Sequence, residues 1–233
     1  TFLRKSTRLT PEQFVAGFAD GAKQAVGLIA ACATAGIIIG VLNLTGTGLK
    51  FASGIIALSG GILPIALILT MGSSLILGMG LPTAAAYLIC AAVIVPALTG
   101  LGVPALTGHL FIFYFACLSA ITPPVALAAY AGAGIAKCDP MTTAVHACRI
   151  GFAGFIVPFV FCYNSALMLD GSILEIVKVC GTAIVGCAGL SCGLQGWFFS
   201  KQRKISVQSR VFVIAMGFCM MMPSDLFSII GIA

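Results

Sequence analysis

An all-α, polytopic membrane protein with a re-entrant helical hairpin and a discontinuous helix is the fold class that this sequence predicts. Three observations predict it. Of the 233 residues, 60% are hydrophobic and 8% charged, and the mean hydropathy is +1.15, whereas soluble domains carry about 25% charged residues. Between Lys50 and Lys137 there is no Asp, Glu, Lys or Arg. Finally, the apolar run is interrupted twice in the same manner, at residues 75–87 (LILGMGLPTAAAY) and at residues 118–125 (LSAITPPV). Lipid leaves no room for exposed, unpaired backbone groups. Two such breaks are either buried defects or a site, and they are expected to face each other.

The net charge of +6 is concentrated at the two ends, in Arg4, Lys5, Arg8 and Lys23 and in Lys201, Arg203, Lys204 and Arg210. Both clusters flank apolar spans. They therefore read as positive-inside topology signals rather than as a nucleic-acid or anionic-lipid patch. Seven of the ten cysteines (Cys32, Cys90, Cys117, Cys162, Cys180, Cys187 and Cys219) sit in apolar segments and read as small hydrophobes. No CxxC or Cys/His spacing points to zinc. The chain opens on Thr1, directly in the basic stretch, and is expected to be a C-terminal piece of a longer protein.

Taken in order, Thr10-Pro11-Glu12-Gln13 carries a helix-start signature, with Thr10 as N-cap, Pro11 in the first turn and Gln13 completing a capping box. The helix it opens is amphipathic, with Phe14, Val15 and Phe18 beside Glu12, Gln13 and Asp20. It is expected to lie at the membrane surface or, equally by pattern, to be a soluble linker helix. Residues 22–44 are long enough to span, since about 20 apolar residues suffice. Residues 50–59 read as a short interfacial helix closed by Gly60-Gly61.

The first arm of the central feature is residues 62–78 and the second is residues 83–95, ended by Pro96. That second arm would reach only about 20 Å, short of the roughly 30 Å hydrocarbon core. A re-entrant hairpin is therefore expected, the alternative being two spanning helices with Pro96 as a kink. Residues 99–108 read as a loop. A helix over 109–118 is then interrupted, because Pro123 and Pro124 lack backbone donors and Pro123 drives Thr122 out of the α region. Helix resumes at residues 125–136. Asp139, followed by Pro140, caps a helix expected to run to about residue 169. Residues 170–172 form a turn, and spans follow at 173–200 and 210–230.

Charge orients this parse. With the 201–210 loop in the cytoplasm, Asp170 lies outside, Lys137 and Arg149 inside, and the Gly100 loop outside. The hairpin then starts and ends outside with its tip pointing inward. Only Lys50 and Lys178 fall on the opposite side.

No Ser/His/Asp set with plausible spacing is present, so catalysis has no candidate residues. His109 and His146 are isolated. His109 is read as a packed residue, with a proton relay as the alternative. The breaks carry the candidate chemistry. A helix that stops inside the membrane presents free carbonyls, and the next half presents free N–H groups; crossed broken helices of this kind form transporter sites. The candidate cation ligands are Gly78, Met79, Gly80, Thr83, Ser119, Ile121 and Thr122, mostly through backbone carbonyls. The candidate substrate-binding residues are Pro82, Thr83, Thr122, Pro123 and Pro124. With no carboxylate in this core, sodium is the expected coupling ion rather than a proton, and no other cofactor is expected.

The stretch GMGLPTAAAY, then PALTGLGVPALTGHLFIFYFACLSAITPPVALAAYAGAGIA, then Asp139-Pro140 and a helix ending VPFVFCYNSALML, resembles the large membrane subunit of the TRAP (tripartite ATP-independent periplasmic) transporters. The likeness is greatest to the branch whose small subunit is fused to the large one, and it covers about residues 11–169. The resemblance implies an elevator-type, inverted-repeat carrier in a bacterial cytoplasmic membrane. It implies sodium coupling, an organic-acid substrate and a periplasmic substrate-binding protein as partner. It divides the chain into a linker and interfacial helix (1–21), a second-repeat transport region (22–169, hairpin 61–99, broken helix 105–137) and a C-terminal extension (170–233). The first repeat and the small-subunit region would be supplied by the remaining membrane part. A membrane-embedded enzyme or assembly subunit with purely structural breaks is the competing reading, and a channel is a third.

Overall fold

The computed structural model describes residues 10–196 and 206–221. Arg4, Lys5, Arg8, Lys201, Arg203 and Lys204, and the expected end of the last span at 222–230, lie outside the described residues. The elements are α1 (Pro11–Thr45), α2 (Thr47–Ser59), α3 (Leu63–Gly78), α4 (Thr83–Gly100), α5 (Ala105–Leu118), α6 (Leu127–Ala136), α7 (Pro140–Ile150), α8 (Phe152–Tyr163), a 3-10 turn (Ser165–Met168), α9 (Ile173–Gln195) and α10 (Val207–Met221). This is an all-α membrane protein. Among the described residues three helices, α1, α4 and α9, are long and apolar enough to cross a bilayer singly, and the bent pair α7–α8 is so jointly.

Helix α1 starts where its cap predicts. The Gln13 N–H donates to Thr10 Oγ1 at 3.2 Å and the Thr10 N–H donates to Gln13 Oε1 at 3.0 Å. It then runs 35 residues without a break, so the expected surface helix and first span are one element. No proline or polar cap interrupts residues 21–22, and a helix continues where nothing offers its backbone another partner. At 1.5 Å per residue α1 is about 52 Å long, well over the hydrocarbon thickness.

Helix α4 is the centre of the packing, buried along Ala85, Ala86, Ile89, Cys90, Val93, Ile94, Ala97 and Leu98. Helix α2 sits on it through Gly48, Ala52, Ile55 and Ser59, a single helical face. Helix α5 adds Phe111, Ile112 and Phe115 to the same core. Phe159 of α8 packs edge-on to Phe111, with ring centroids 5.3 Å apart, and so ties α8 to α5.

Two sequence expectations fail here. Pro96 does not end the second arm; it lies inside α4, which continues to Gly100. Proline has no N–H for the carbonyl four residues earlier, that of Ala92. That oxygen instead faces Gly48, 3.5 Å from where a Cβ would stand. Neighbouring helices tolerate such a proline in membranes. At 18 residues, about 27 Å, α4 is not a short arm, and the length argument for a re-entrant hairpin falls away. The expected loop at 99–108 shrinks to 101–104, with α5 starting directly behind Pro104.

The helix expected over 140–169 is two. It bends by 42° between α7 and α8. The break falls at Gly151, where a Cβ would lie 3.0 Å from Ile121 Cδ1, so the bend lets α7–α8 close over the second interruption. At the far end Asn164 accepts from the Ala166 N–H at 3.0 Å and turns the chain into the 3-10 segment. Ser172 and Glu175 form a second capping box and start α9. Helix α10 lies against α9 with glycine facing glycine: a Cβ on Gly217 would stand 2.9 Å from both the Gly186 carbonyl oxygen and the Leu190 nitrogen.

Candidate functional site

The first interruption is a turn of four residues between α3 and α4. Gly78 ends α3, Met79 is extended, and Gly80 takes φ +77°, a conformation L side chains rarely adopt. Leu81 donates its N–H back to the Gly78 carbonyl at 3.3 Å. Helix α4 then begins behind Pro82, whose φ of −57° suits a helix entry.

The second interruption follows α5. Ser119 ends that helix, and Ala126, at φ 35°, opens α6 at its second residue beyond the prolines. Helix therefore resumes at Leu127, two residues later than expected. The loop is braced internally. Ala128 donates its N–H to Ala120 O at 2.9 Å, Thr122 Oγ1 donates to Leu118 O at 2.7 Å, and Tyr130 Oη donates to Pro124 O at 2.6 Å.

The two interruptions meet. Ser119 Oγ, 2% exposed, lies 3.1 Å from the Gly78 carbonyl oxygen and 2.7 Å from that of Ala116, so one hydroxyl proton is shared between two helices. A Cβ on Gly78 would fall 2.7 Å from that oxygen, closer than side chains pack. Gly80 meets Val125, a Cβ there standing 3.7 Å from Cγ1. The expected juxtaposition of the breaks is thus present, and its contact atoms are Ser119 Oγ and Gly78 O.

The other named residues divide into those at this junction and those beside it. The Gly78 carbonyl accepts from both Leu81 and Ser119, which uses its two lone pairs. The Ser119 carbonyl accepts from the Thr122 N–H at 3.3 Å and that of Ile121 from Cys148 Sγ at 3.3 Å. The carbonyls of Met79 and Gly80 accept no hydrogen bond among the described residues. Thr83 is half-buried at the start of α4, where the first N–H groups have no intrahelical acceptor. Thr122 faces away from the junction and lines a cavity with Met71, Cys148 and Arg149. Pro82 and Pro124 are exposed, and Pro123 is half-buried.

Two features escaped the sequence reading. Ser74, one turn before Gly78, is fully buried, and its hydroxyl has no hydrogen-bond partner among the described residues. With Thr70, also fully buried, it makes a small-polar row at every fourth residue (70, 74, 78) along α3. That spacing was the available signal. The second is Tyr87, whose Oη lies 3.0 Å from His109 Nδ1, making His109 a packed partner of α4. No local signal foretold it. Among the described residues no group of three or more His, Cys, Asp or Glu could hold a metal ion; the oxygen atoms at the junction belong to carbonyls and hydroxyls.

Two helix interruptions in direct contact inside an all-helical membrane protein are an arrangement that secondary transporters use for their sites. The family model described as "Tripartite ATP-independent periplasmic transporter, DctM component" matches residues 1–176, and the chain belongs to that family. It is a multi-pass membrane protein of a solute-transporting system. Comparisons with curated proteins and with solved structures returned no match.

Proposed function

We propose that this chain forms the second half of the transport unit of a sodium-coupled carrier for a small organic acid, working by an elevator movement in a bacterial cytoplasmic membrane. A periplasmic substrate-binding protein would deliver the substrate, and the remaining membrane part would supply the first repeat and the small-subunit region. The observation that carries this reading is the Ser119–Gly78 contact, which joins both interruptions without a single charged side chain. The same turn offers the free carbonyls of Met79 and Gly80 and the half-buried Thr83, hard oxygen donors suited to sodium. Thr83 also opens α4, where free N–H groups and the positive end of the helix dipole favour a carboxylate.

Gly78 and Ser119 are then the hinge of the site rather than its free ligands, and Thr122 acts from the loop's other side. The test is uptake of a radiolabelled substrate by the complete transporter in proteoliposomes with its binding protein. Uptake should require a sodium gradient and collapse when sodium is replaced by potassium. Uptake indifferent to sodium would overturn the coupling.

A further inference from the structure

Away from the interruptions, an apolar groove runs along α8. Toward the N-terminal end of α8 it is lined by Met71, Phe152 and Phe155, with a volume of about 590 Å³. Toward the C-terminal end it is lined by Pro64, Tyr163 and Phe218, with about 530 Å³. Ile156 and Phe159 line both parts, so α8 is their common floor. At 12 residues, that floor is about 18 Å long.

One end of the groove is strongly basic. Arg149 donates Nε and Nη2 to the Leu194 carbonyl at 3.0 and 2.7 Å. Arg210 donates Nη2 to the same oxygen at 2.9 Å and Nε to Gly193 O at 2.9 Å. The two Nη2 atoms therefore lie within two hydrogen-bond lengths of each other. The C-terminal end of α9 supplies only about half a negative charge against two full positive ones. Neither guanidinium pairs with a carboxylate among the described residues. Each keeps further N–H donors in the planar fork that grips a phosphate. Arg149 and Leu194 also line the groove itself.

We infer that this is a binding site for an anionic phospholipid, its phosphate on Arg149 and Arg210 and an acyl chain along α8 over Ile156 and Phe159. An uncharged occupant would leave the paired guanidiniums unbalanced, and a free phosphate would leave the groove unused. Gly193, Leu194 and Arg210 lie beyond the residues that match the family model, so the site is completed by the C-terminal helices. Because Thr122 lines the same cavity as Arg149, the bound lipid would abut the second interruption.

The experiment is native mass spectrometry of the complete transporter, purified in uncharged detergent, with added dioleoyl-phosphatidylglycerol or dioleoyl-phosphatidylcholine. Phosphatidylglycerol should be retained and phosphatidylcholine should not. The R149Q/R210Q double variant should bind phosphatidylglycerol roughly thirtyfold more weakly, from about 1 kcal/mol for each arginine at a membrane surface. Because those arginines also cap α9, Ile156→Trp provides the second arm. It fills the groove, leaves both arginines in place, and should also lose the lipid at an unchanged melting temperature. Equal retention of the two lipids, or phosphatidylglycerol binding unaltered by both variants, would overturn the assignment. So would displacement of the lipid by millimolar inorganic phosphate, or cross-linking from position 156 to polypeptide instead of lipid.

Discussion

A single missing carbon decides whether the two interruptions can meet. Gly78 has Ser119 Oγ where a Cβ would stand, so Gly78→Ala forces the two loops apart. Overpacking of this kind costs about 1–3 kcal/mol. The expected outcome is a lower melting temperature together with loss of transport. Ser119→Gly removes both clashing atoms, and in the double variant it should restore most of the stability but not the hydrogen bond, leaving a deficit of about 1 kcal/mol. Additive losses in a double-mutant cycle would show that the two residues do not touch. At the same scale, Asp139 is held below the usual carboxylate range by hydrogen bonds from the Thr142 side chain and then its backbone. A carboxylate lowered in the folded chain contributes stability above its unfolded value and loses that contribution as pH falls through the folded value. Amide protection in the first turn of α7, taken relative to the intrinsic exchange rate at each pH, should therefore fall on acidification, and in Asp139→Asn, which still caps but does not titrate, the protection should lose that pH dependence.

At the scale of elements, the helix starts were legible and the helix interiors were not, for a physical reason. Thr10 with Gln13, and Asp139 with Pro140, act within one turn of chain, so the residues alone determine the outcome. Pro96 acts through a neighbour. Whether it stops a helix depends on what packs against the Ala92 carbonyl, and that is Gly48, in another helix. The bend at Gly151 likewise depends on Ile121. Of the site, the meeting of the breaks was legible because two like interruptions in an uncharged run have few other ways to be satisfied in lipid. The contact atoms, and the unpartnered Ser74 hydroxyl, depend on helix rotation and were not. The α9–α10 pair provides the element-scale prediction. Gly217→Val would place methyl groups onto the Gly186 carbonyl and the Leu190 backbone, and should separate the helices at a cost of about 1–3 kcal/mol. Cysteine pairs introduced across that contact should cross-link in the parent and fail to do so in the variant.

For the whole molecule, the arrangement of charge predicts orientation. Reporter fusions after residue 200 should read cytoplasmic, and fusions at Asp170 should read external. The opposite pattern would invert the molecule and place the 79–82 turn against the other side. Orientation also bears on α1, which exceeds the bilayer thickness. Its Thr10 end carries exposed Phe14 and Phe18, while further along Ala35 packs against Ala85 and Ile89 of α4.

The carbonyl that Pro96 leaves at Ala92 has a spectroscopic consequence. A backbone oxygen without its helical donor absorbs at higher frequency than its neighbours in the amide I band. An isotope label confined to the Ala92 carbonyl would therefore stand apart from the rest of α4, and its frequency would follow the distance to Gly48. The helix imperfection becomes an optical gauge of whether α2 is seated on α4, readable in a bilayer while the carrier works.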